Sequence, residues 1–226
     1  MRLKAEKHTL LLPHFHVLKS HLHTFIQAPL PCQKCIFIRH GQTEGNEHKL
    51  MYGQTDIGLT ELGKLQSMLL KPHISEFLPK CRLYSSDLKR CKETAQLSMD
   101  TQIYHRVHFD QRLREINFGN DEGRSFVNVH RDEYDFIFGR AYQANGGESW
   151  FDVYDRVRAF LNQQGEINGV MLMYTHCGLI RTLLYDFDVK TDMTNCCVVA
   201  FDIQSFKIDF HWQFPSLEGL VEKSSV

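Results

Sequence analysis

The 226-residue chain lacks a long apolar run and lacks a large net charge of either sign. Since no apolar stretch approaches the roughly 20 residues that a transmembrane helix requires, we expect no membrane span. The 26 lysines and arginines almost cancel the 27 aspartates and glutamates, which leaves a formal net charge of −1. Such a chain has no overall field to attract nucleic acid, so we expect no nucleic-acid partner. Any anion must be bound by a local cluster of cations.

The cysteines do not form the pattern of a disulfide scaffold, and the chain has no internal repeat. Seven is an odd number, and the chain is too long for the class of small disulfide-rich domains. Reduced thiols, and with them a cytoplasmic location, are the interpretation that fits. An apolar fraction of 42% and a charged fraction of 23% are typical of a globular protein, and the length fits one domain with a sizeable core.

Residues 1–34 have little negative charge. They contain five lysines and arginines but only one acidic residue, Glu6, together with five of the thirteen histidines. Their leucines and phenylalanines are spaced for an apolar stripe that Pro13 interrupts, so a helix lying on a membrane surface is one alternative. We prefer a loosely ordered N-terminal extension without a signal peptide, because the run Leu10–Leu12 is too short for one. A C-terminal tail is expected over 213–226, disordered after Pro215.

The stretch Cys35–Asn46 organises the rest of the chain. Its β-branched and aromatic run, Ile36–Ile38, predicts a buried strand that breaks abruptly into Arg39, His40 and Gly41. In an open α/β sheet, ligands bind just beyond the carboxyl ends of the strands. A guanidinium at such a place suits an anionic substrate, because its fork geometry matches phosphate oxygens.

Two further predicted strands also end in reactive or basic groups. The strand Arg82–Ser86 leads into a helix with Arg90 in its first turn, where the helix N-terminus already favours anions. The continuous apolar run Val170–Tyr174 predicts a central parallel strand, and it ends in Thr175 and His176. Three such coincidences at equivalent strand ends predict one shared pocket.

Strands alternate with helices along the chain, which predicts the α/β class. We expect a single three-layer α/β/α domain over 35–212, built around a mostly parallel central sheet. The other predicted elements are helices over 60–72, 88–99, 126–142 and 148–164, an edge strand over 102–105, and a C-terminal hairpin over 198–210.

Five ordered motifs resemble the signature of the histidine phosphatase superfamily, in its phosphoglycerate-mutase-like branch. They are Arg39-His40-Gly41-Gln42-Thr43-Glu44-Gly45-Asn46, the segments 53–66 and 86–95, Glu115 with Phe118-Gly119 and Glu122-Gly123, and Thr175-His176. Together they cover residues 35 to 210, the whole folded part of the chain. The departures are few: Gly58 replaces the usual proline, and Cys91 and Cys177 stand where small residues are common.

The resemblance implies a role for each matching residue. His40 would be the nucleophile and Glu115 the proton donor. The phosphate would be held by the remaining site residues, Arg39, Arg90, His176, Asn46 and the backbone of Gly53. No metal or cofactor is implied. This division suits the chemistry, because a neutral imidazole can attack phosphorus and fixed cations stabilise the charge on the equatorial oxygens.

The residues beside the acid bear on where the phosphoryl group goes. Mutases of the superfamily resemble Glu-Arg-x-Tyr-Gly there and carry a longer insertion before the last histidine. This chain has Ile116 in place of the arginine and a modest segment before His176, and both features favour hydrolysis. Because three cations lie nearby in the sequence, Arg112, Arg114 and Arg124, a mutase-type cation clamp remains an alternative.

We therefore predict a metal-independent phosphomonoesterase that acts on a small phosphorylated metabolite through a covalent phosphohistidine. The pattern Gly146-Gly147-Glu148-Ser149 is similar to that of small broad-range phosphatases and of α-ribazole phosphatase. The alternatives are a phosphoglycerate-mutase-type phosphotransferase and a catalytically idle binding protein of the same fold. Whether two copies form a homodimer stays open.

Overall fold

The computed structural model describes residues 2–3, 8–28, 34–127, 137, 139, 141–165, 169–184, 193–202, 207–218 and 221–222. Its strands are β1 (Arg2–Leu3), β2 (Lys34–Arg39), β3 (Cys81–Ser85), β4 (His108–Phe109), β5 (Val170–Thr175), β6 (Val198–Asp202), β7 (Lys207–Trp212) and β8 (Val221–Glu222). Its α-helices are α1 (His8–Gln27), α2 (Glu44–Glu47), α3 (Glu61–Ile74), α4 (Lys89–Leu97), α5 (Thr101–Tyr104), α6 (Trp150–Gln163) and α7 (Cys177–Leu184).

Six strands form one sheet in the order β4–β3–β5–β2–β6–β7. The first four run parallel to one another, β6 runs antiparallel to β2, and β7 runs antiparallel to β6. The register pairs Arg39 of β2 with Thr175 of β5. Because both strands end at this row, the residues that follow them, His40 and His176, emerge side by side at the carboxyl edge. The predicted α/β fold with a mostly parallel sheet is confirmed.

The central strands bury both of their faces. Ile36 and Ile38 of β2 belong to a core that α1, α3 and α4 cover, whereas Cys35 and Phe37 belong to a second core under α6 and α7. Helices therefore pack on both sides of the sheet, as the three-layer prediction requires. Within the described residues, no helix combines the length and the hydropathy that crossing a membrane would need.

Helix α1 corrects the expectation of a loosely ordered N-terminal extension. Its apolar stripe is at most 4% exposed and consists of Leu11, Phe15, Leu18, Leu22 and Phe25. Pro13 lies inside the helix and does not end it. The indole Nε1 of Trp212 in β7 donates a 2.9 Å hydrogen bond to the carbonyl of His14. The helix is ordered because its apolar stripe packs on the apolar face of the sheet and buries it.

The C-terminal end of α1 is held by the first residue of β2. The side chain of Lys34 is buried, and its Nζ donates to the carbonyls of Phe25 at 2.6 Å and Ala28 at 2.5 Å. The last carbonyls of a helix have no partner within the helix, so a buried ammonium satisfies them. The junction between α1 and the sheet is thereby fixed.

The expected disorder of the tail after Pro215 does not hold for 216–218 and 221–222. Phe214 and Leu217 are buried, and the backbone N–H of Phe214 donates to Thr194 Oγ1 at 2.9 Å. Strand β8 pairs antiparallel with β1. The tail is ordered where apolar side chains anchor it to the core.

Two local predictions need comment. The residues expected to form an edge strand over 102–105 fall mostly in the helical turn α5, and the edge strand is β4, which pairs in parallel with β3. The run Ile103-Tyr104 is too short to distinguish strand from helix by its pattern. Most of the helix predicted over 126–142 lies outside the described residues, as does the predicted hairpin turn at 204–205. The strands β6 and β7 nevertheless pair as that hairpin requires.

Candidate active site

His40 is the first residue after β2, and the protein fixes its orientation. Its backbone N–H donates to the carbonyl of Thr175 at 3.0 Å, and its Nδ1 lies 2.7 Å from the carbonyl oxygen of Gly41. A carbonyl oxygen only accepts, so the proton is on Nδ1 and the lone pair is on Nε2. Burial lowers the pKa of His40 well below its usual range, and the charges of Arg90 and Arg39 lower it further. His40 is therefore held as a neutral imidazole with a nucleophilic Nε2.

Arg90, in the first turn of α4, is almost fully buried and held on three sides. Its Nη2 donates to the carbonyl of Gly53 at 2.5 Å and its Nη1 to the carbonyl of Thr55 at 3.0 Å. Its Nε donates to Nδ1 of His176 at 3.2 Å. Burial lowers the pKa of Arg90 from its ordinary value, but an arginine stays charged in proteins. These contacts aim a fixed cation at the carboxyl edge of the sheet.

His176 lies beside His40, with 5.2 Å between the ring centroids. Its Nδ1 accepts from Arg90, so its proton is on Nε2, which lies 2.9 Å from Oγ of Ser86. Burial, and then the charge of Arg90, lower the pKa of His176 well below its usual range. Both ring nitrogens are already engaged, so His176 orients Arg90 in this structure. Direct contact between His176 and a phosphate stays a prediction.

Arg39 and Asn46 face a cleft at this edge. The Nη1 of Arg39 donates to the carbonyl of Met193, and within the described part of the chain its Nε is buried without a hydrogen-bond partner. The Oδ1 of Asn46 accepts from the backbone of Thr43 at 3.1 Å and from Nδ2 of Asn195 at 2.9 Å. Buried polar groups are nearly always paired in native proteins, so the unpaired Nε of Arg39 is an exception among the described residues.

Glu115 is held at the N-terminus of α7. Its two carboxylate oxygens accept from the backbone N–H groups of Gly178 at 2.9 Å and Leu179 at 3.1 Å. Its own carbonyl accepts from Nη2 of Arg156 at 3.0 Å, and Arg156 pairs with Glu148 at 2.8 Å. The N-terminus of α7 therefore positions the Glu115 carboxylate, and the Arg156–Glu148 ion pair holds the backbone carbonyl of Glu115.

Of these side chains, Arg39, Asn46 and Glu115 meet at a cleft of about 310 Å³. Its polar lining consists of Arg39, Asn46, Glu115, Cys177, Arg181 and Thr194. Its apolar lining consists of Leu50, Met51, Tyr52, Phe118, Phe126, Trp150 and Met193. His40 does not line the cleft among the described residues and is only 5% exposed. The site combines a sheltered neutral imidazole with cations and an apolar wall.

Comparison with known proteins decides the family. The model of the histidine phosphatase superfamily (branch 1) matches residues 35–211. The chain belongs to this superfamily. Phosphoglycerate mutase-like protein 4 of Arabidopsis thaliana is 30% identical over 161 residues, 66% of this chain and 68% of that protein. Glucosyl-3-phosphoglycerate phosphatase of Mycolicibacterium vanbaalenii is 29% identical over 170 residues, 67% of this chain and 72% of that protein.

A solved structure shows the same superfamily fold. The phosphoglycerate mutase of Thermus thermophilus superposes with a TM-score of 0.68 at 26% identity, over 81% of this chain and 100% of that chain. The resemblance inferred from the five motifs is thus confirmed. The names of the two relatives include both a phosphatase and a mutase-like protein, so the superfamily supports phosphatase-type catalysis in general.

The backbone of Gly53 was expected to help hold the phosphate, but in the structure it makes other contacts. Its N–H donates to the Glu122 carboxylate, at 3.0 and 3.1 Å from the two oxygens, so it is not available to a substrate. A Cβ at Gly53 would lie 1.9 Å from the carbonyl oxygen of Ile116. Glu122 also accepts from Oγ1 of Thr55 at 2.6 Å. Gly53 therefore allows a close backbone approach, and its carbonyl holds Arg90.

The arginines considered as a mutase-type clamp lie in ion pairs. Arg112 contacts Asp110 at 2.6 Å, Arg114 contacts Asp87 at 2.5 Å, and Arg124 lies 3.6 Å from Asp121. Besides Arg39, a second arginine lines the cleft, Arg181 of α7, which the sequence interpretation did not select. Its signal was available: Cys177 and Arg181 are four residues apart on a helix that starts at the site, so they share a face.

Proposed function

We propose that the chain is a metal-independent phosphomonoesterase that acts on a small phosphorylated metabolite through a phosphohistidine on His40. The observation that carries this proposal is the pairing of two features. His40 presents the lone pair of Nε2, and the buried Nε of Arg39, the preceding residue in the chain, has no partner among the described residues. A nucleophile and an unsatisfied donor for an anion thus stand together.

The first step forms a covalent bond between Nε2 of His40 and phosphorus and breaks the bond between phosphorus and the leaving oxygen. Glu115 gives a proton to that oxygen. A phosphate monoester has a second pKa of about 6, so part of it arrives with the proton that Glu115 needs. In the second step water attacks phosphorus and gives its proton to Glu115, and the bond to His40 breaks. Inorganic phosphate leaves, and His40 is restored.

Arg39 and Arg90 supply the positive charge that the transition state needs. The charge in phosphoryl transfer is spread over three equatorial oxygens, and preorganised cations in a sheltered site stabilise it. Arg90 is held by Gly53, Thr55 and His176, so it needs no reorganisation when the substrate arrives. On this proposal a chelator such as EDTA leaves activity intact; loss of activity in EDTA that a divalent ion restores would contradict metal independence.

A trapped phosphoenzyme tests the proposal. Brief incubation with p-nitrophenyl phosphate followed by an alkaline quench should add the mass of one phosphoryl group, and acid should remove it. His40→Ala should abolish the adduct, and His48→Ala, which changes an exposed histidine near the site, should keep it. An adduct that persists in His40→Ala would overturn the assignment. A catalytically idle binding protein would form no adduct at all.

A phosphoglycerate-mutase-type phosphotransferase is the second candidate, and Arg181 in the cleft favours it. A mutase must hold a bisphosphorylated intermediate while it reorients, which requires a cation beside the acid. Against it, Ile116 is fully buried and brings no charge to the site. With 3-phosphoglycerate, with and without 2,3-bisphosphoglycerate as primer, we expect free phosphate to exceed 2-phosphoglycerate. Primer-dependent interconversion faster than phosphate release would decide for the mutase.

A further inference from the structure

A half-buried carboxylate beside the site has no part in the proposed chemistry. Glu122 accepts the backbone N–H groups of three successive residues, Gly53 at 3.0 and 3.1 Å, Gln54 at 2.9 Å and Thr55 at 3.3 Å. It also accepts from the backbone N–H of Phe118 at 3.2 Å. Successive N–H groups that converge in this way form a concavity typical of anion-binding loops. Here the concavity is occupied by the carboxylate of the protein itself.

The peptide between Gly53 and Gln54 has both of its polar groups bound. Its N–H donates to Oε1 of Glu122 at 2.9 Å, and its carbonyl oxygen accepts from Nη2 of Arg90 at 2.5 Å. The peptide bonds of the described residues are all trans. In a planar trans peptide the N–H and the C=O point in opposite directions. Because Glu122 binds the N–H on one side, the carbonyl is turned toward Arg90 on the other side.

The charges at the two ends of this peptide reinforce its hydrogen bonds. A negative carboxylate faces the N–H and a positive guanidinium faces the carbonyl, so the two bonds polarise the peptide in the same sense. Glu122 also accepts from Oγ1 of Thr55 at 2.6 Å, and the carbonyl of Thr55 accepts from Nη1 of Arg90 at 3.0 Å. The loop that Glu122 binds therefore holds both terminal nitrogens of Arg90.

These contacts decide which donors of Arg90 stay available. A guanidinium has five N–H groups in a rigid plane. Within the described part of the chain, Nε donates to Nδ1 of His176, and each terminal nitrogen donates one N–H to the loop 53–55. One N–H on each terminal nitrogen is left for a ligand. Since the guanidinium is planar, the direction of these two donors is fixed by the loop.

We propose that Glu122 is a positioning residue for phosphoryl transfer, which sets the direction of Arg90 through the peptide between Gly53 and Gln54. This inference rests on the proposed phosphatase function. Arg90 acts on the phosphoryl oxygens, which all phosphate esters share. The backbone of Glu115 is held separately by Arg156 at 3.0 Å. A change at Glu122 should therefore slow esters with good and poor leaving groups by the same factor.

Kinetics on two esters provide the first test. Glu122→Ala releases the loop and should lower kcat/KM for p-nitrophenyl phosphate and for glycerol 3-phosphate alike by about 10- to 100-fold, because small misplacements of a catalytic group are costly. The matched control is Glu93→Ala. Glu93 is also half-buried, lies on the same helix as Arg90 and accepts the backbone N–H of Leu59 at 2.7 Å, so its removal should leave both rates as in wild type. A loss confined to glycerol 3-phosphate would assign Glu122 to the proton transfer and overturn the inference.

A double-mutant cycle separates positioning from a loss of folded protein. Arg90→Lys keeps the charge but loses the fork that reaches both carbonyls. If Glu122 acts through Arg90, adding Glu122→Ala to Arg90→Lys should lower kcat/KM by at most about twofold more. Partial unfolding would reduce activity by the same factor in either background, so losses that multiply would overturn the inference. If Glu122→Ala does not fold, Glu122→Gln, which keeps one acceptor oxygen, replaces it in the same cycle.

Binding of inorganic phosphate tests the inference without hydrolysis. Calorimetry should give a Kd about 10-fold higher in Glu122→Ala than in wild type, and Glu93→Ala should match wild type. Partial unfolding would instead lower the number of titrated sites at an unchanged Kd, and that result would overturn the inference. If no phosphomonoester is hydrolysed, the phosphatase proposal fails, whereas the dissociation constants still decide whether Glu122 positions Arg90.

Discussion

Arg90 donates through Nε to Nδ1 of His176 over 3.2 Å. A nitrogen that accepts cannot carry a proton, so the proton of His176 is on Nε2, where Oγ of Ser86 accepts it at 2.9 Å. Protonation of Nδ1 would set two N–H groups against each other inside the protein. This contact therefore ties the charge state of His176 to the position of Arg90, and it makes the fold sensitive to acid.

Acid should destabilise the protein through His40 and His176. The folded-state pKa of both is lowered, mainly by burial, so the unfolded chain binds these protons more readily. Their contribution to stability is complete above the unfolded pKa of about 6.5 and is lost as the pH falls toward the folded values. Each group adds a slope of up to about 1.4 kcal/mol per pH unit in that window.

Urea unfolding at pH 7.5, 6.5 and 5.5 measures this slope. His40→Asn should reduce the loss of stability between pH 6.5 and 5.5, because one of the two buried imidazoles is gone. His48→Asn, which changes an exposed ring, should keep the wild-type slope. A His40→Asn variant with the same slope as wild type would show that other groups control the acid sensitivity.

Helix α1 should contribute measurably to stability. Leu18 is 0% exposed and Val17, its neighbour, is 49% exposed. Leu18→Ala removes packed methyl groups from the core and should lower the free energy of unfolding by about 2–5 kcal/mol. Val17→Ala on the solvent side should stay within about 0.5 kcal/mol. Urea denaturation at pH 7.5 compares the two, and equal small effects would mean that α1 is loosely attached after all.

The buried ammonium at the end of α1 offers a separate test. Lys34→Met keeps most of the volume but leaves the carbonyls of Phe25 and Ala28 without their donor. Leaving buried groups unsatisfied costs about 1–3 kcal/mol each, so unfolding should require clearly less denaturant. Lys19→Met breaks only a surface pair with Glu76, about half exposed, and should cost at most about 1 kcal/mol. Indistinguishable losses would refute a special role for Lys34.

The central sheet and the residues at its carboxyl edge could be predicted from the sequence for a simple reason. A parallel strand buried on both faces is a continuous apolar run, and Ile36–Ile38 and Val170–Tyr174 are such runs. The side chains that follow them are brought together by the sheet alone. Helix α1 was misjudged because Pro13 and the histidines suggested an interrupted helix. In addition, its apolar stripe could be identified as a buried face only once the sheet surface that it covers was known.

The supporting contacts of the site could not be predicted. Glu122 binds the loop at Gly53, 69 residues away in sequence, and Arg156 binds the carbonyl of Glu115, 41 residues away. Such pairs depend on how loops return to the sheet edge, and no local pattern encodes them. Arg181 was missed for the opposite reason: its signal was local, but an arginine on a helix is ordinarily a solvated side chain.

The last prediction concerns the acid. Glu115→Gln keeps the shape of the side chain but cannot donate a carboxylic proton to the leaving oxygen. General acid–base assistance contributes about 10²- to 10⁴-fold, so hydrolysis of glycerol 3-phosphate should fall by that order. p-Nitrophenyl phosphate should fall far less, because its leaving group hardly needs a proton. The contrast between the two substrates is measured on one variant, so a change in folding or in phosphate affinity cancels.

Glu44→Gln, an exposed change in α2 near the site, is the matched control and should leave both rates as in wild type. Equal losses on the two substrates in Glu115→Gln would assign Glu115 to positioning. In that case its role would be to accept the N–H groups of Gly178 and Leu179 and so to hold α7 against the sheet edge. A substrate-dependent loss would instead place a proton on Glu115 at the moment the ester bond breaks, which is the step that distinguishes catalysis from binding.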